Sequence, residues 1–533
     1  MKYSLRLFGL LIVGTVLFSS CEKHTSQSTG WNYNDPKNGG FEYVYYDEQE
    51  TGPGLVFIEG GTFSMGRVEQ DVLYDWNNIP RRITVSSFYM DQYEIRNVDY
   101  REYLFWIKRV FYESFPEVYY RSLPDTLVWR SKLGYNEPYV ETYLRHPAYQ
   151  EYPVVGVNWT QATDFCKWRT DRVNEMIMVR EGLLDWDPNQ MDDQNFNTET
   201  YLAGQYMGAT KELMVDYANP DAEGRNVRME DGIFLPKYRL PTEAEWEFAA
   251  LSYVGNQFFP GDERVYHQRV YPWNGHYIRV DDHSGFAPDD IGQIRANIVR
   301  GRGDYMGTAG ALNDKSDITS PVFAYWPNDY DLYAMAGNVN EWVMDVYRKM
   351  TLEDFDEFRG FRGNVYMKPT MDPTDDHILD APDELGRMKW EEVSDEDAFD
   401  RRNYNTADNI NYLDGDYESS IEYNLDPDDK SVKNSNRMYE EGKDGSQFLK
   451  SATDTLKLKN MTPDKYGSKP NFRGKLDMQS MVNNRIHVYK GGGWKDRAYW
   501  MSPGSRRGLD QDQAQDDLGF RCAMHRVGGQ IQQ

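Results

Sequence analysis

Three consecutive glycines ending on a tryptophan, Gly491 to Trp494, limit how this 533-residue chain can fold more than any other stretch does. No helix follows them, as a phosphate-cradling loop would need, so they read as backbone positions where a side chain would collide, with Trp494 covering a core beside them. Gly337, inside Asp331–Trp342 (DLYAMAGNVNEW), reads the same way. Further glycine- or aromatic-marked blocks lie at Leu55–Gly66 (LVFIEGGTFSMG), Phe88–Asn97 (FYMDQYEIRN), Pro153–Trp168 (PVVGVNWTQATDFCKW) and Arg239–Ala250 (RLPTEAEWEFAA). The last block runs from the glycines through Arg506-Arg507 to Gly519–Cys522 (GFRC). With 40 Tyr and 14 Trp at a mean hydropathy of -0.78, the pattern suits a loop-rich fold whose aromatics pair apolar bodies with polar handles, and not a helix-dominated one.

Two helices are legible from local chemistry. Thr242 and Glu245 form a capping box, and Trp246, Ala249 and Ala250 share one face behind it. A second helix starts near Thr160, with Ala162, Phe165, Arg169 and Val173 marking its period and Cys166 on its apolar side. The chain is too long for one ordinary core, and two stretches exceed the blocks, about 170–237 and about 347–485. The second is crowded with Asp and Glu; it reads either as a partner-facing element or as a solvating loop.

At the N-terminus, Lys2 and Arg6 precede an apolar run from Leu7 to Phe18, then Ser19-Ser20-Cys21. The run is too short to span a bilayer, and residues 1–20 have the layout of a signal peptide. The cysteine after small residues resembles a bacterial lipobox, with Phe18 where Leu is usual, so Cys21 is the expected lipidation site; a simple cleaved signal is the alternative. Residues 21–50 read as a lipid-anchored tether, although Gly30–Phe41 (GWNYNDPKNGGF) is unusually particular for a linker. Residues 51–533 then form the domain. A formal net charge of -27 with no sustained basic run argues against nucleic acid as a partner. No histidine pair has ligand spacing, so a lone His146 or His487 reads as a satisfied surface group.

The six blocks, in this order, resemble the formylglycine-generating enzyme, or sulfatase-modifying factor, family. The resemblance implies an α+β fold related to C-type lectins, low in regular secondary structure, with the two stretches as insertions. In that family two thiols follow the Gly-Gly-aromatic turn; here an ungapped match places Asp496 and Met501 there. A carboxylate and a thioether supply neither a thiolate nucleophile nor a copper(I) ligand, so no enzymatic activity and no copper are expected. Cys166 and Cys522 match positions that pair as a disulfide in the family; two buried free thiols are the alternative. Asn338 with Glu341, and Asn297 with Asp314, match places where the family holds structural calcium, against the reading that they satisfy loop backbone. Asn340 stands where the family usually has Trp. Within the family, the lipobox, the tether motif, the missing thiols and the acidic insertion resemble the gliding-motility lipoproteins of Bacteroidetes, the J type first and the K type next. That implies an outer-membrane lipoprotein facing the periplasm, with type IX secretion proteins as partners, including a ring with a soluble periplasmic subunit. The alternative is a surface or periplasmic lipoprotein that binds glycan or peptide in the old cleft.

Overall fold

The computed structural model describes residues 24–67, 77–208, 210–256, 269–281, 287–299, 317–347, 361, 363, 367–372, 375–392 and 485–529. Cys21, Asp314 and most of the second insertion lie outside them. The frame consists of strands β1 (Leu55–Ile58), β2 (Gly61–Met65), β3 (Arg81–Val85) and β4 (Phe88–Asp91), then helices α1 (Asn97–Phe111) and α2 (Trp159–Arg180). Strand β5 (Tyr238–Arg239), helix α3 (Glu243–Leu251) and strands β6 (Asn340–Val346), β7 (Ile486–Lys490), β8 (Arg507–Asp510), β9 (Leu518–Gly519) and β10 (Ala523–His525) complete it.

One antiparallel sheet has the order β1-β4-β10-β5, so the C-terminal strand sits between strands from the start and middle of the domain. The other has the order β8-β7-β6-β9, with β9 parallel to β6 and the rest antiparallel. Every residue of β4 and β7 is buried, which is why FYMD and IHVYK lack the polar alternation of a half-exposed strand. Strand β2 pairs with β3 over Gly61–Val85 to Met65–Arg81.

Helix α2 begins at Trp159 because Asn158 caps it, accepting from the Gln161 amide at 2.8 Å while Gln161 reaches back to the Asn158 amide at 3.0 Å. Its Ala162, Phe165 and Cys166 enter the main core, where Phe165 stacks on Tyr100 at 5.7 Å. Arg169 is held by two bonds of 2.8 Å to the carboxylate of Asp91 and lies over the Tyr238 ring at 4.4 Å, which clamps the helix to the first sheet. Helix α3 has the Thr242/Glu245 box but not the single buried face expected: all nine of its residues are buried, its three glutamates included.

The first insertion closes a small core of its own from Met178, Leu184, Phe196, Tyr201, Val227 and Phe234. The described part of the second packs on it. Thr200 Oγ1 donates to the Gly386 carbonyl at 2.9 Å, Gln205 Nε2 to the Asp380 carbonyl at 3.0 Å, and Trp390 Nε1 to Glu199 at 2.9 Å. The tether expectation also changes, because residues 24–50 are tied to the body. Glu42, Glu48 and Glu50 pair with Arg225, Arg526 and Arg180, and Tyr46 Oη donates to the Gly529 carbonyl at 2.8 Å. Among the described residues no helix is long and apolar enough to cross a membrane.

Candidate functional site

Strand β7 runs into the Gly491–Gly493 turn, which β6, β8 and β9 surround. Gly492 has φ of +74°, and a Cβ there would lie 2.7 Å from Met501 Cε. Gly337 has φ of +79° and would meet the Asn297 carbonyl at 2.7 Å. Both glycines therefore serve the close approach the sequence implied. Trp494 stacks on Trp129 at 6.2 Å and donates to the Asp516 carbonyl at 3.1 Å.

Asp496, where the resemblance would place the first thiol, is locked in place. Arg507 grips its carboxylate through two nitrogens at 3.1 and 2.5 Å, the Gly493 amide donates to it at 2.9 Å, and Asn340 Nδ2 lies at 3.3 Å. Burial alone would push its pKa up, but the bonds and charge of Arg507, with Gly493 and Asn340, outweigh that and hold it below the usual carboxylate range. Arg507 is itself sandwiched, 4.8 Å from the Tyr489 ring centre and 4.4 Å from that of Trp500, and it also donates to Asn340 Oδ1. Asn340 and Asp496, two places where the chain departs from the family pattern, thus touch each other and share Arg507. Met501, at the second thiol position, is fully buried among Trp273, Ile294, Ala296, Ile298 and Ala336. The site holds an anchored carboxylate and a packed thioether.

Beside it Asp517 accepts from Asn340 Nδ2 at 3.2 Å, and Lys495 Nζ lies 3.1 Å from its other oxygen, off the hydrogen-bonding direction. Burial, with the charges of Asp496 and Asp516, pushes Asp517 from 3.8 up to about 6 against the pull of Lys495. The folded chain therefore holds an extra proton between those values, and stability falls as pH rises through that window. Asp517→Asn is expected to raise stability at pH 7 by about 1–3 kcal/mol and to flatten the fall in Tm between about pH 4 and 6. Urea melts of both chains across that range check it; a destabilised variant with an unchanged pH slope would count against the assignment.

The calcium candidates separate in space and chemistry. Glu341 accepts from Arg521 at 2.6 Å on each oxygen and from Trp246 Nε1 at 2.7 Å, so a buried guanidinium already balances its charge. Asn338 Oδ1 instead accepts from the Ser320 amide at 2.8 Å, and Asn338 Nδ2 donates to Glu94 at 2.5 Å. Asn297 Nδ2 donates to the Ile318 carbonyl at 2.7 Å, while its own carbonyl accepts from the Asn338 amide at 3.1 Å. Asn338 and Glu341 thus bond to different partners in this structure, and Asp314, the partner expected for Asn297, lies outside the described residues. Among the described residues no three His, Cys, Asp or Glu side chains are grouped to hold a metal ion. The donor set at Glu341 does not fit calcium. Sequence reasoning missed Glu94, a fully buried carboxyl whose pKa is raised well above the ordinary value by burial and then by Glu341.

Cys166 and Cys522, the expected disulfide pair, lie side by side and buried in the core, Sγ to Sγ 3.3 Å. His487 is not a surface group. It is buried on β7, stacked on Trp159 at 3.8 Å, and burial lowers its pKa to about 4, so it is neutral. His146 is bound locally, its Nδ1 accepting from the Ala148 amide at 3.1 Å.

The family described as "Sulfatase-modifying factor enzyme 1-like domain" matches residues 41–383, a range that holds the first five blocks and stops before the Gly491 turn. The formylglycine-generating enzyme of Mus musculus is 23% identical over 309 residues, 55% of this chain and 58% of its own length. That of Thermomonospora curvata is 26% identical over 306 residues, 57% of this chain and 75% of its own. The inactive C-alpha-formylglycine-generating enzyme 2 of Mus musculus is 24% identical over 302 residues, 56% and 70% of the two chains. The match thus spans little more than half the length of the mouse enzyme. These names overturn the expectation of no enzymatic activity, since the domain is shared with proteins named as enzymes as well as with one named inactive. The side chains at 496 and 501 remove only chemistry that runs through two thiols at those positions.

Proposed function

This chain belongs to the sulfatase-modifying factor enzyme 1-like domain family, and from that premise we propose that it is a structural subunit of a type IX secretion and gliding-motility machine. Lipidated Cys21 would hold it at the outer membrane, facing the periplasm, in the manner of the J type of gliding lipoproteins. The observation that carries this reading is the brace at the old thiol position. Asp496, Asn340 and Arg507 tie β6, β8 and the Gly491 turn together, so the site's polar groups are spent on rigidity. The two insertions, joined through Thr200, Gln205 and Trp390, add a large surface that the blocks do not need. Its acidic continuation supplies a face for partners, with a ring containing a soluble periplasmic subunit as the expected assembly.

Affinity isolation of the tagged chain from detergent-solubilised membranes tests the reading. The native chain is expected to bring down secretion components. Cys21→Ala should shift it to the soluble fraction with its melting temperature unchanged, and replacing 393–484 by a short Gly-Ser linker should leave it folded yet stop both co-isolation and secretion. A native chain that comes down alone, or a linker variant that still supports secretion, would defeat it. A second reading rests on one feature, a surface depression that encloses only about 20 Å³ and opens to solvent, lined by Trp273, Tyr325, Trp326, Arg295 and Asn328. Aromatic walls with amide and guanidinium groups suit a glycan, and a glycan array on the purified chain separates this reading from the first.

A further inference from the structure

The segment between His24 and Tyr46 presents a surface that neither the core nor the insertions use. Five rings form one contiguous row. His24 meets Tyr45 edge-on at 4.7 Å, Tyr45 meets Tyr43 at 5.3 Å, Tyr43 stacks on Tyr33 at 5.0 Å, and Tyr33 tilts against Phe41 at 5.5 Å. The row faces outward: Phe41 is 67% exposed, Tyr45 54% and Tyr43 40%, with Trp31 of the same turn at 62%. Scattered exposed aromatics are ordinary, whereas a contiguous row marks a contact surface.

The row is held rigidly. The Asn34 side chain donates to the Tyr43 carbonyl at 2.9 Å and accepts from the Tyr43 amide at 2.8 Å. The Asn34 amide donates to the Phe41 carbonyl at 2.9 Å and the Tyr33 amide to the His24 carbonyl at 2.8 Å. Its charge is also prepared. Glu42, Glu48 and Glu50 are turned to arginines of the body, so three carboxylates of this acidic chain are countered where the rings stand out.

The occupant follows from where the row lies in the chain. His24 comes three residues after Cys21, and three residues of extended chain reach no more than about 11 Å. Acyl chains on Cys21 therefore keep His24, the first ring of the row, within that distance of the lipid headgroups, and the other rings follow it in steps of 4.7 to 5.5 Å. Tyr and Trp, apolar in the body and polar at the tip, are the side chains that settle at a membrane–water interface. We propose that this aromatic row lies in the headgroup layer of the membrane that carries the anchor and fixes how the domain is oriented on it; the proposal rests on the reading of Cys21 as lipidated.

Acylated full-length protein, reconstituted into phosphatidylethanolamine/phosphatidylcholine vesicles containing doxyl lipid, tests it with an environment-sensitive label at one engineered cysteine. The label is placed by Tyr45→Cys, by Trp31→Cys in case the first change disturbs the row, and by Leu133→Cys, a fully exposed loop position, as control. At 45 and 31 the emission is expected to shift to the blue and fall about twofold by quenching, with 133 unaffected. Protein bound to vesicles with water-like labels at both row positions, or with all three quenched alike, overturns the platform while leaving the anchor standing. Protein that stays off the vesicles and carries no acyl chain overturns both.

Discussion

Replacing Glu243 by glutamine is expected to lower stability by about 3–5 kcal/mol, the largest effect of any single substitution considered for this fold. Glu243, Glu247, Lys490 and Arg506 form a quartet shielded from water, two charges of each sign. Lys490 Nζ lies 3.2 Å from Glu243 and 2.8 Å from Glu247, Arg506 lies 2.8 Å from Glu243, and Glu247 also accepts from the Gly66 amide at 2.7 Å. Glu243 alone touches both cations. Burial would push its carboxyl up, yet the charges of Arg506 and Lys490 outweigh that and hold it at about 2. A depressed carboxylate contributes stability that is present above its ordinary 4.5 and lost as pH falls toward about 2. The native chain is therefore expected to lose stability over that acid range, and Glu243→Gln to lack this limb while being weaker at pH 7. Urea unfolding at pH 7 and pH 3 measures both; a loss below about 1 kcal/mol at pH 7 would show that the quartet is not an integrated unit. Glu243→Gln combined with Arg506→Met should recover part of the loss, because it leaves one anion facing one cation.

What could be read from the sequence was what neighbouring residues determine. The Thr242/Glu245 box and the start of α2 follow from side chains that bond their own backbone three residues away. The glycines at 337 and 492 were legible because nothing larger fits. Long-range pairing leaves no such mark. Asn340 was legible only as a changed packing position, and Arg507 only as part of a basic pair, because the bonds joining them to Asp496 cross 156 and 11 residues of chain. For the same reason Glu341 looked like a calcium ligand until Arg521, 180 residues away, took its carboxylate. The anchoring of residues 24–50 did carry a signal: acidic residues at 42, 48 and 50 around an aromatic run fit an extended strand that turns carboxylates to a surface and rings away from it.

Chain secreted into an oxidising compartment is expected to carry a Cys166–Cys522 disulfide and to be about 2–4 kcal/mol more stable than the same chain refolded under reductant. The two sulfurs are separated by 356 residues yet lie 3.3 Å apart, so bonding requires a closure of only about 1.3 Å to reach disulfide length. The bond would join α2 to the end of the chain just before β10, closing a loop of 356 residues, and the chain-entropy account predicts more stabilisation the longer the loop. Burial, and then the neighbouring Cys166, push the Cys522 thiol well above its ordinary pKa, so in the folded reduced protein Cys522 presents almost no thiolate. Oxidation is thus expected to be fast during folding and slow afterwards: diamide added to the folded reduced chain should bridge it over hours, and the same reagent present during refolding within minutes. Peptide mass mapping without reduction gives the yield, and urea melts with and without reductant give the stability difference. Secreted protein whose two thiols both alkylate after denaturation without reductant would leave the pair as packed thiols, and the 3.3 Å approach would then be a matter of core packing alone.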